Sequence, residues 1–300
     1  MKVAFWSNRR GTGGSTVHLA CISVWYAMAF PMRQAVIFEN HKSQGGLESI
    51  LCKSQVKESQ YYRSGGLGSL LRRVGDREEP TLLELEWMAE RFFGERLMYF
   101  PIGADLGPEQ LNYHLGGKLR SFLGTLEKKV PMVWMDLQAT APTNRSILSA
   151  ADRVIISLPQ NRVAWDSMIR NHREIHRKAF YLIGNYEEDS EFTAERIGRE
   201  YGIREDRLAT VPHSVYLMDA ASKGVMIPFL MSCYHSEKGD VFYPLAEKLR
   251  EMTEKVFDWL SEGEMSYVYG NVSEKTEVLV ADGGAGFYPS FVSDQPLSVS

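Results

Sequence analysis

The sequence predicts an α/β fold: a three-layer arrangement in which about seven parallel strands are covered by helices on both faces. Short, uniformly apolar runs alternate with helix-period segments along residues 1–260, the pattern of strands buried on both sides. The first of these runs opens directly into a glycine-rich turn and a helix. The polar residues Arg9 to Thr16, Glu39, His41, Asp136 and Asn185 follow apolar runs, so they fall at strand carboxyl ends, where open α/β sheets bind ligands.

Val3-Ala4-Phe5-Trp6 reads as a buried strand. Ser7 to Gly14 cannot extend it, because glycine favours turns and positive φ. Ser15 and Thr16 are good N-cap types. Behind them Val17, Ala20, Cys21, Val24, Trp25 and Met28 recur at helical spacing, one face of an amphipathic helix. Pro31 breaks that pattern, and Gln34 to Phe38 is a second strand ending at Glu39-Asn40-His41. Residues 52–95 begin polar and irregular and become helical from Thr81 to Phe93; Tyr61-Tyr62-Arg63 reads as a surface or interface patch. Leu97 to Pro101 is the third strand, and Pro108 to Leu126 a helix interrupted at Gly116-Gly117. Met132 to Met135 is the fourth strand, ending at Asp136, and Arg153 to Leu158 the fifth.

A helix from Arg162 to Lys178 carries Arg170, His172, Arg173, His176, Arg177 and Lys178, a basic cluster that reads as a solvated face. Tyr181 to Ile183, ending at Gly184-Asn185, and Leu208 to Val211, ending at Pro212, complete the strands. Asp240 to Leu260 is a closing helix with Phe242, Leu245, Leu249, Met252, Val256 and Leu260 on one face. Residues 261–300 carry six acidic residues against Lys275 and are expected to be a largely disordered acidic tail, with a short strand at Val278 to Val280.

Composition narrows the function classes. Apolar content of 44% and charged content of 24% are those of an ordinary globular chain. A net charge of −4 gives no global attraction to nucleic acid or anionic lipid. Cys21, Cys52 and Cys233 are odd in number and widely spaced, which argues for a reducing compartment and against a disulfide framework or a zinc site. The chain enters a strand at once, and its longest apolar stretch, Val17 to Met32, is too short to span a membrane. A cytoplasmic location without a membrane anchor is the expectation.

A glycine loop feeding a helix N-terminus collects free backbone N–H groups at the positive end of a helix dipole, which suits a phosphate. Against the pattern G-x-x-x-x-G-K-[ST], Asn8 replaces the first glycine, Gly13 and Ser15 match, and Gly14 replaces the lysine. Asp136, after an apolar strand, is a carboxylate of the kind that holds magnesium through water; a helix or loop cap is its other reading.

Taken in order, these segments resemble the ParA/MinD group of P-loop ATPases over residues 1 to about 260. Ser7 to Thr16 corresponds to a deviant phosphate loop, and Val36 to His41, with Leu47 behind it, to the second-strand motif. Leu97 to Gly103 with Pro108 and Leu111, Val133 to Asp136 with Ala151 to Ile156, Gly184-Asn185-Tyr186, and Val211-Pro212-His213 with Ala221 and Lys223-Gly224 match later landmarks. The resemblance implies a P-loop NTPase fold of the deviant Walker type that binds ATP or ADP with Mg2+. It implies nucleotide contacts from Arg9, Arg10, Gly11, Thr12, Gly13, Gly14, Ser15, Thr16, Asn185 and Pro212, and metal contacts from Ser15 and Asp136. It also implies a nucleotide-promoted homodimer, with Arg9 at the position of the lysine that reaches the neighbouring subunit.

The departures fall on the chemistry. Gly14 removes the phosphate-loop lysine, a charged hydrogen bond worth roughly 1.5–3 kcal/mol if nothing compensates. Arg9 and Arg10 keep positive charge and add a bidentate fork. His41 stands where relatives carry a water-positioning aspartate, and Leu137-Gln138 replaces the usual Thr-Pro. Binding with slow or absent hydrolysis is therefore expected. Degenerate loops of this kind are similar to those of TadZ/CpaE-like proteins, which implies a positional scaffold with partners in a pilus, secretion or partition machine.

Two other readings compete. A DNA-partitioning ATPase would use the basic helix, but the overall acidity makes DNA an unlikely partner. A dinucleotide-dependent oxidoreductase, using NAD(P), fits Gly11-x-Gly13 followed by Glu39, although Thr16 occupies the third glycine position. Tyr234-x-x-x-Lys238 has a reductase-like spacing but lies past the seventh strand.

Overall fold

The computed structural model describes residues 1–9, 11, 13–42, 45–51, 65–74, 79–103 and 106–262. Its sheet contains β1 (Lys2–Trp6), β2 (Ala35–Glu39), β3 (Glu90–Phe92), β4 (Leu97–Tyr99), β5 (Met132–Asp136), β6 (Arg153–Pro159), β7 (Ala179–Tyr186) and β8 (Leu208–Pro212). They lie in the order β3-β4-β2-β5-β1-β6-β7-β8. All neighbouring pairs are parallel except β3 with β4. Seven parallel strands thus match the expected count, and one short antiparallel strand closes an edge.

Side chains alternate across the sheet, so each strand feeds two cores. Ala4, Trp6, Val36, Phe38, Val133, Met135, Val154 and Ile156 face one layer, with Leu70, Phe122, Ile147 and Trp165 from four helices. Phe5, Trp134 and Phe180 point the other way, against Tyr26 of the first helix and Trp259 of the last. Strands buried on both faces must be apolar at every position, which is why they read as unbroken runs in the sequence.

Several expectations are corrected. The helix read from Thr81 to Phe93 runs only from Leu82 to Met88, with Thr81 and Glu84 forming a capping box. The chain then pairs with β4 as β3 through a turn in which Phe93, Gly94 and Glu95 all have positive φ. Pairing satisfies the backbone of an otherwise open sheet edge, which outweighs local helix preference. The helix Pro108–Glu127 is continuous through Gly116-Gly117. Both glycines are exposed, and their cost of about 1 kcal/mol each is offset by the buried stripe Leu111, Leu115, Leu119, Phe122, Leu123 and Leu126.

The basic helix ends at Asn171, and its cluster is not a single solvated face. His172 meets the Trp6 ring edge-on, His176 is hydrogen-bonded to Tyr181, and Lys178 Nζ donates to the carbonyls of Leu148 and Ala151. The first helix, Ser15–Ala29, is not amphipathic: every residue from His18 to Ala27 is buried, because it is covered by the sheet and by helices Met226–Tyr234 and Tyr243–Leu260. Helices Leu47–Leu51, Leu67–Arg73, Ala194–Tyr201, Val215–Lys223 and Met226–Tyr234 had no counterpart in the sequence reading. Of the acidic tail read over 261–300, Ser261 and Glu262 follow directly on the last helix, Glu262 facing Arg153, while residues 263–300 with the Val278 to Val280 strand, and Tyr61-Tyr62-Arg63, lie outside the described residues.

Candidate functional site

The loop after β1 is shaped by close approaches rather than by a side-chain cap. At Gly13 a Cβ would stand 2.3 Å from the Ser157 carbonyl oxygen, so backbone from β6 leaves room for glycine alone. Gly14, at φ 70°, takes the cap position of the first helix, and no side chain caps it. Ser15 and Thr16, expected as capping residues, are instead inside the helix and spend their hydroxyls elsewhere. A Cβ on Gly14 would lie 3.0 Å from His18 Nε2. The His18 ring is held between Gly14 and Gly184, and its Nδ1 is 2.9 Å from Ser157 Oγ. Burial pushes its pKa down to about 3, so it is neutral. Asn8 Oδ1 is buried without a hydrogen-bond partner, while the Arg9 side chain is exposed. Arg10 and Thr12 lie outside the described residues.

Asp136 is the centre of the site. Thr16 Oγ1 donates to its Oδ2 at 2.7 Å, and Ser15 Oγ stands 3.5 Å from its Oδ1. The strand order makes this meeting possible, because β5 lies between β1 and β2 and pairs Asp136 with Phe5 on one side and Glu39 on the other. Glu39 is therefore on the same face of the sheet as Asp136. Its Oε1 accepts from Tyr99 OH at 2.6 Å and its Oε2 from the Leu47 N–H at 3.0 Å. Burial, and then the charge of Asp136, push the Glu39 carboxyl up to about 7. His41 completes the group with Nε2 3.5 Å from Asp136 Oδ2. Glu39, His41 and Asp136 are all buried, and their ligating atoms lie within 4.8 Å of one another.

Behind them, Asn40 ties the two strand ends together. Its Nδ2 donates to Asn144 Oδ1 at 2.7 Å and Thr143 Oγ1 at 3.1 Å, and its Oδ1 accepts from the Gln138 N–H at 2.9 Å. Sequence reasoning missed Asn40, Thr143, Asn144, His18 and Ser157 as parts of this site. Only Asn40, next to Glu39 at a strand end, carried a signal that could have found it.

The remaining expected positions sit at the other strand ends. Asn185 is exposed and left-handed at φ 50°, in an irregular stretch of the β7–β8 pairing that ends with Tyr186 opposite Pro212. A Cβ on the adjacent Gly184 would be 2.7 Å from the Gly13 carbonyl, so the end of β7 touches the glycine loop. Glycine loop, Asp136 and the β7 end thus share one rim of the sheet. Tyr234 and Lys238 do not belong to it: Tyr234 packs on Trp25, on the far side of the first helix. Nor does the sheet have the dinucleotide-binding order, in which the second strand lies beside the first.

No protein-family description and no curated protein matches the chain. Solved structures do. A ParA family ATPase from Chlorobium tepidum superposes with a TM-score of 0.60 at 14% identity, covering 84% of this chain and 98% of the other. The septum site-determining protein MinD complexed with Mg-ADP from Pyrococcus horikoshii gives 0.59 at 14% identity, covering 85% and 94%. A plasmid partition protein from Borrelia burgdorferi bound to AMPPNP gives 0.57 at 12% identity, covering 87% and 98%. At this level of identity the likeness is one of architecture. The chain has the P-loop NTPase fold of the ParA/MinD-type ATPases.

Proposed function

We propose that this protein binds ATP or ADP with Mg2+ through residues of the stretch Arg9 to Thr16 together with Asp136, Asn185 and Pro212, hydrolyses it slowly or not at all, and serves as a positional or assembly scaffold. The observation that carries the reading is the Asp136 carboxylate facing both hydroxyls of the first helical turn behind the glycine loop. A phosphate fits there: the helix N-terminus has no side-chain cap, so its N–H groups remain available to an anion. Mg2+ fits the oxygen donors of Ser15 and Asp136, and when bound it would neutralise phosphate charge. The P. horikoshii and B. burgdorferi proteins, which hold Mg-ADP and AMPPNP, support this reading.

Slow hydrolysis follows from the residues that are absent. Gly14 supplies no ammonium group to the phosphates, and a Cβ there would stand 3.0 Å from His18 Nε2. His41 is engaged with Asp136 rather than free to orient water. A scaffold would need only the bound and unbound states to differ in what they recruit, namely a second copy and proteins of a pilus, secretion or partition machine.

Isothermal titration with ATP, ADP and NAD, with and without Mg2+, tests the reading. Adenine nucleotide binding strengthened by Mg2+, and loss of that strengthening in Asp136→Asn, are expected. Binding of NAD without ATP or ADP would overturn it, and phosphate release at the rate of an intact ParA/MinD ATPase would overturn the scaffold.

A further inference from the structure

We propose that Glu39, His41 and Asp136 form a site for one divalent transition-metal ion of the zinc or cobalt class, filled without nucleotide. The site goes beyond the magnesium position discussed above, with which it shares only the Asp136 carboxylate.

Geometry supplies the first argument. Glu39 and Asp136 are register partners on adjacent parallel strands, so both carboxylates rise from one face of the sheet end. His41, two residues beyond Glu39, places Nε2 3.5 Å from Asp136 Oδ2. Two ligands of a tetrahedral ion with bonds of about 2.1 Å are about 3.4 Å apart. The full set of ligand atoms lies within 4.8 Å of one another, which keeps Glu39 close to the same sphere.

Burial and charge supply the second. The relative exposures of Glu39, His41 and Asp136 are 3%, 8% and 1%. Among the described residues neither carboxylate has a lysine or arginine partner, and the His41 imidazole stands beside Asp136. Buried carboxyls are protonated, paired or bound to a metal, and a divalent ion would stabilise the ionised form of both.

Orientation supplies the third. Metal-ligating carboxylates are themselves held by outer hydrogen bonds. Here Tyr99 OH and the Leu47 N–H hold Glu39, and Thr16 holds Asp136, each leaving lone pairs free. The donor set chooses the metal. An imidazole with two carboxylates suits zinc, cobalt or manganese, whereas magnesium demands octahedral oxygen. The cysteine pattern that argued against zinc concerned thiolate sites only.

The test uses the untagged full chain, stripped with chelator, without nucleotide. Zn2+ is titrated calorimetrically and Co2+ by its visible absorption. One equivalent should bind, in the presence of millimolar Mg2+. The isosteric Glu39→Gln and His41→Ala should each weaken binding at least about tenfold, and Tyr99→Phe by about tenfold through the outer shell. The exposed His235→Ala should change nothing. Absence of stoichiometric binding by the folded wild-type protein, or binding that survives both ligand substitutions, would overturn the site. Should His41→Ala fail to fold, X-ray absorption of the wild-type zinc protein decides by the presence or absence of an imidazole ligand. Mg-ADP binding is measured separately on the stripped protein. Its survival without zinc binding would refute this site alone, and its loss beside intact zinc binding would refute the nucleotide reading alone.

Discussion

Gly14→Ala is the substitution that best tests how the glycine loop is held. The native residue has φ 70°, and a Cβ would stand 3.0 Å from His18 Nε2. A non-glycine residue in the left-handed region costs about 1–2 kcal/mol, partly offset by about 0.4–1 kcal/mol of lost unfolded-state freedom. Gly11 has nearly the same φ, 72°, but nothing within 4 Å of its Cβ position, so Gly11→Ala measures the backbone term alone. Whether His18 can yield decides the remainder. Its ring is fixed by Ser157 Oγ at 2.9 Å and backed by Gly184, where a Cβ would meet the ring at 2.9 Å. Overpacking against an immobile neighbour costs about 1–3 kcal/mol. Gly14→Ala should therefore be less stable than Gly11→Ala by about 1–3 kcal/mol, a melting difference of about 2–12 °C for a domain of this size. Urea and thermal unfolding of both variants, alone and with His18→Ala, provide the assay. The excess penalty of Gly14→Ala should vanish in the His18→Ala background, as coupled neighbours require. Equal stability of the two single variants would refute the wedge and reopen space at Gly14 for a lysine.

His18 also predicts a pH dependence. It is neutral in the folded protein, with a pKa lowered from 6.5 to about 3 by burial, so only the unfolded chain takes up the proton as pH falls below 6.5. Its contribution is complete above pH 6.5 and erodes by a few kcal/mol toward pH 3; His18→Gln should flatten the slope of unfolding free energy against pH, and an unchanged slope would refute this. Arg9→Ala should weaken a nucleotide-promoted dimer more than Arg177→Ala does, because Arg9 is exposed on the glycine-loop rim whereas Arg177 lies in the turn before β7. Sedimentation with and without ATP reads the difference, and a wild-type protein that stays monomeric at every nucleotide concentration would remove the dimer. Gly14→Lys with His41→Asp should raise phosphate release only slightly, because the lysine inherits the strained φ and the His18 contact at Gly14.

Much of the architecture was legible in the amino-acid sequence because its causes are local or nearly so. Strands buried on both faces must be apolar throughout, so β1, β2 and β4 to β8 stood out as runs, and the polar residues ending them marked the rim where the site lies. Gly14 was visible for the same reason, since its left-handed φ of 70° favours glycine, whereas the carbonyl of Ser157 that excludes a side chain at Gly13 comes from a distant strand. What the sequence could not express was pairing between distant segments. Only the sheet order, with β5 between β1 and β2, brings Asp136 to Ser15 and Thr16 from 121 and 120 residues away and sets Glu39 beside it. The same holds for His18 fixed by Ser157 and Gly184, and for Asn40 bridging to Asn144. Apolar periodicity dictates what is buried. Which buried surfaces meet, and so which polar groups are left facing one another at the sheet's end, is decided only when the whole core packs.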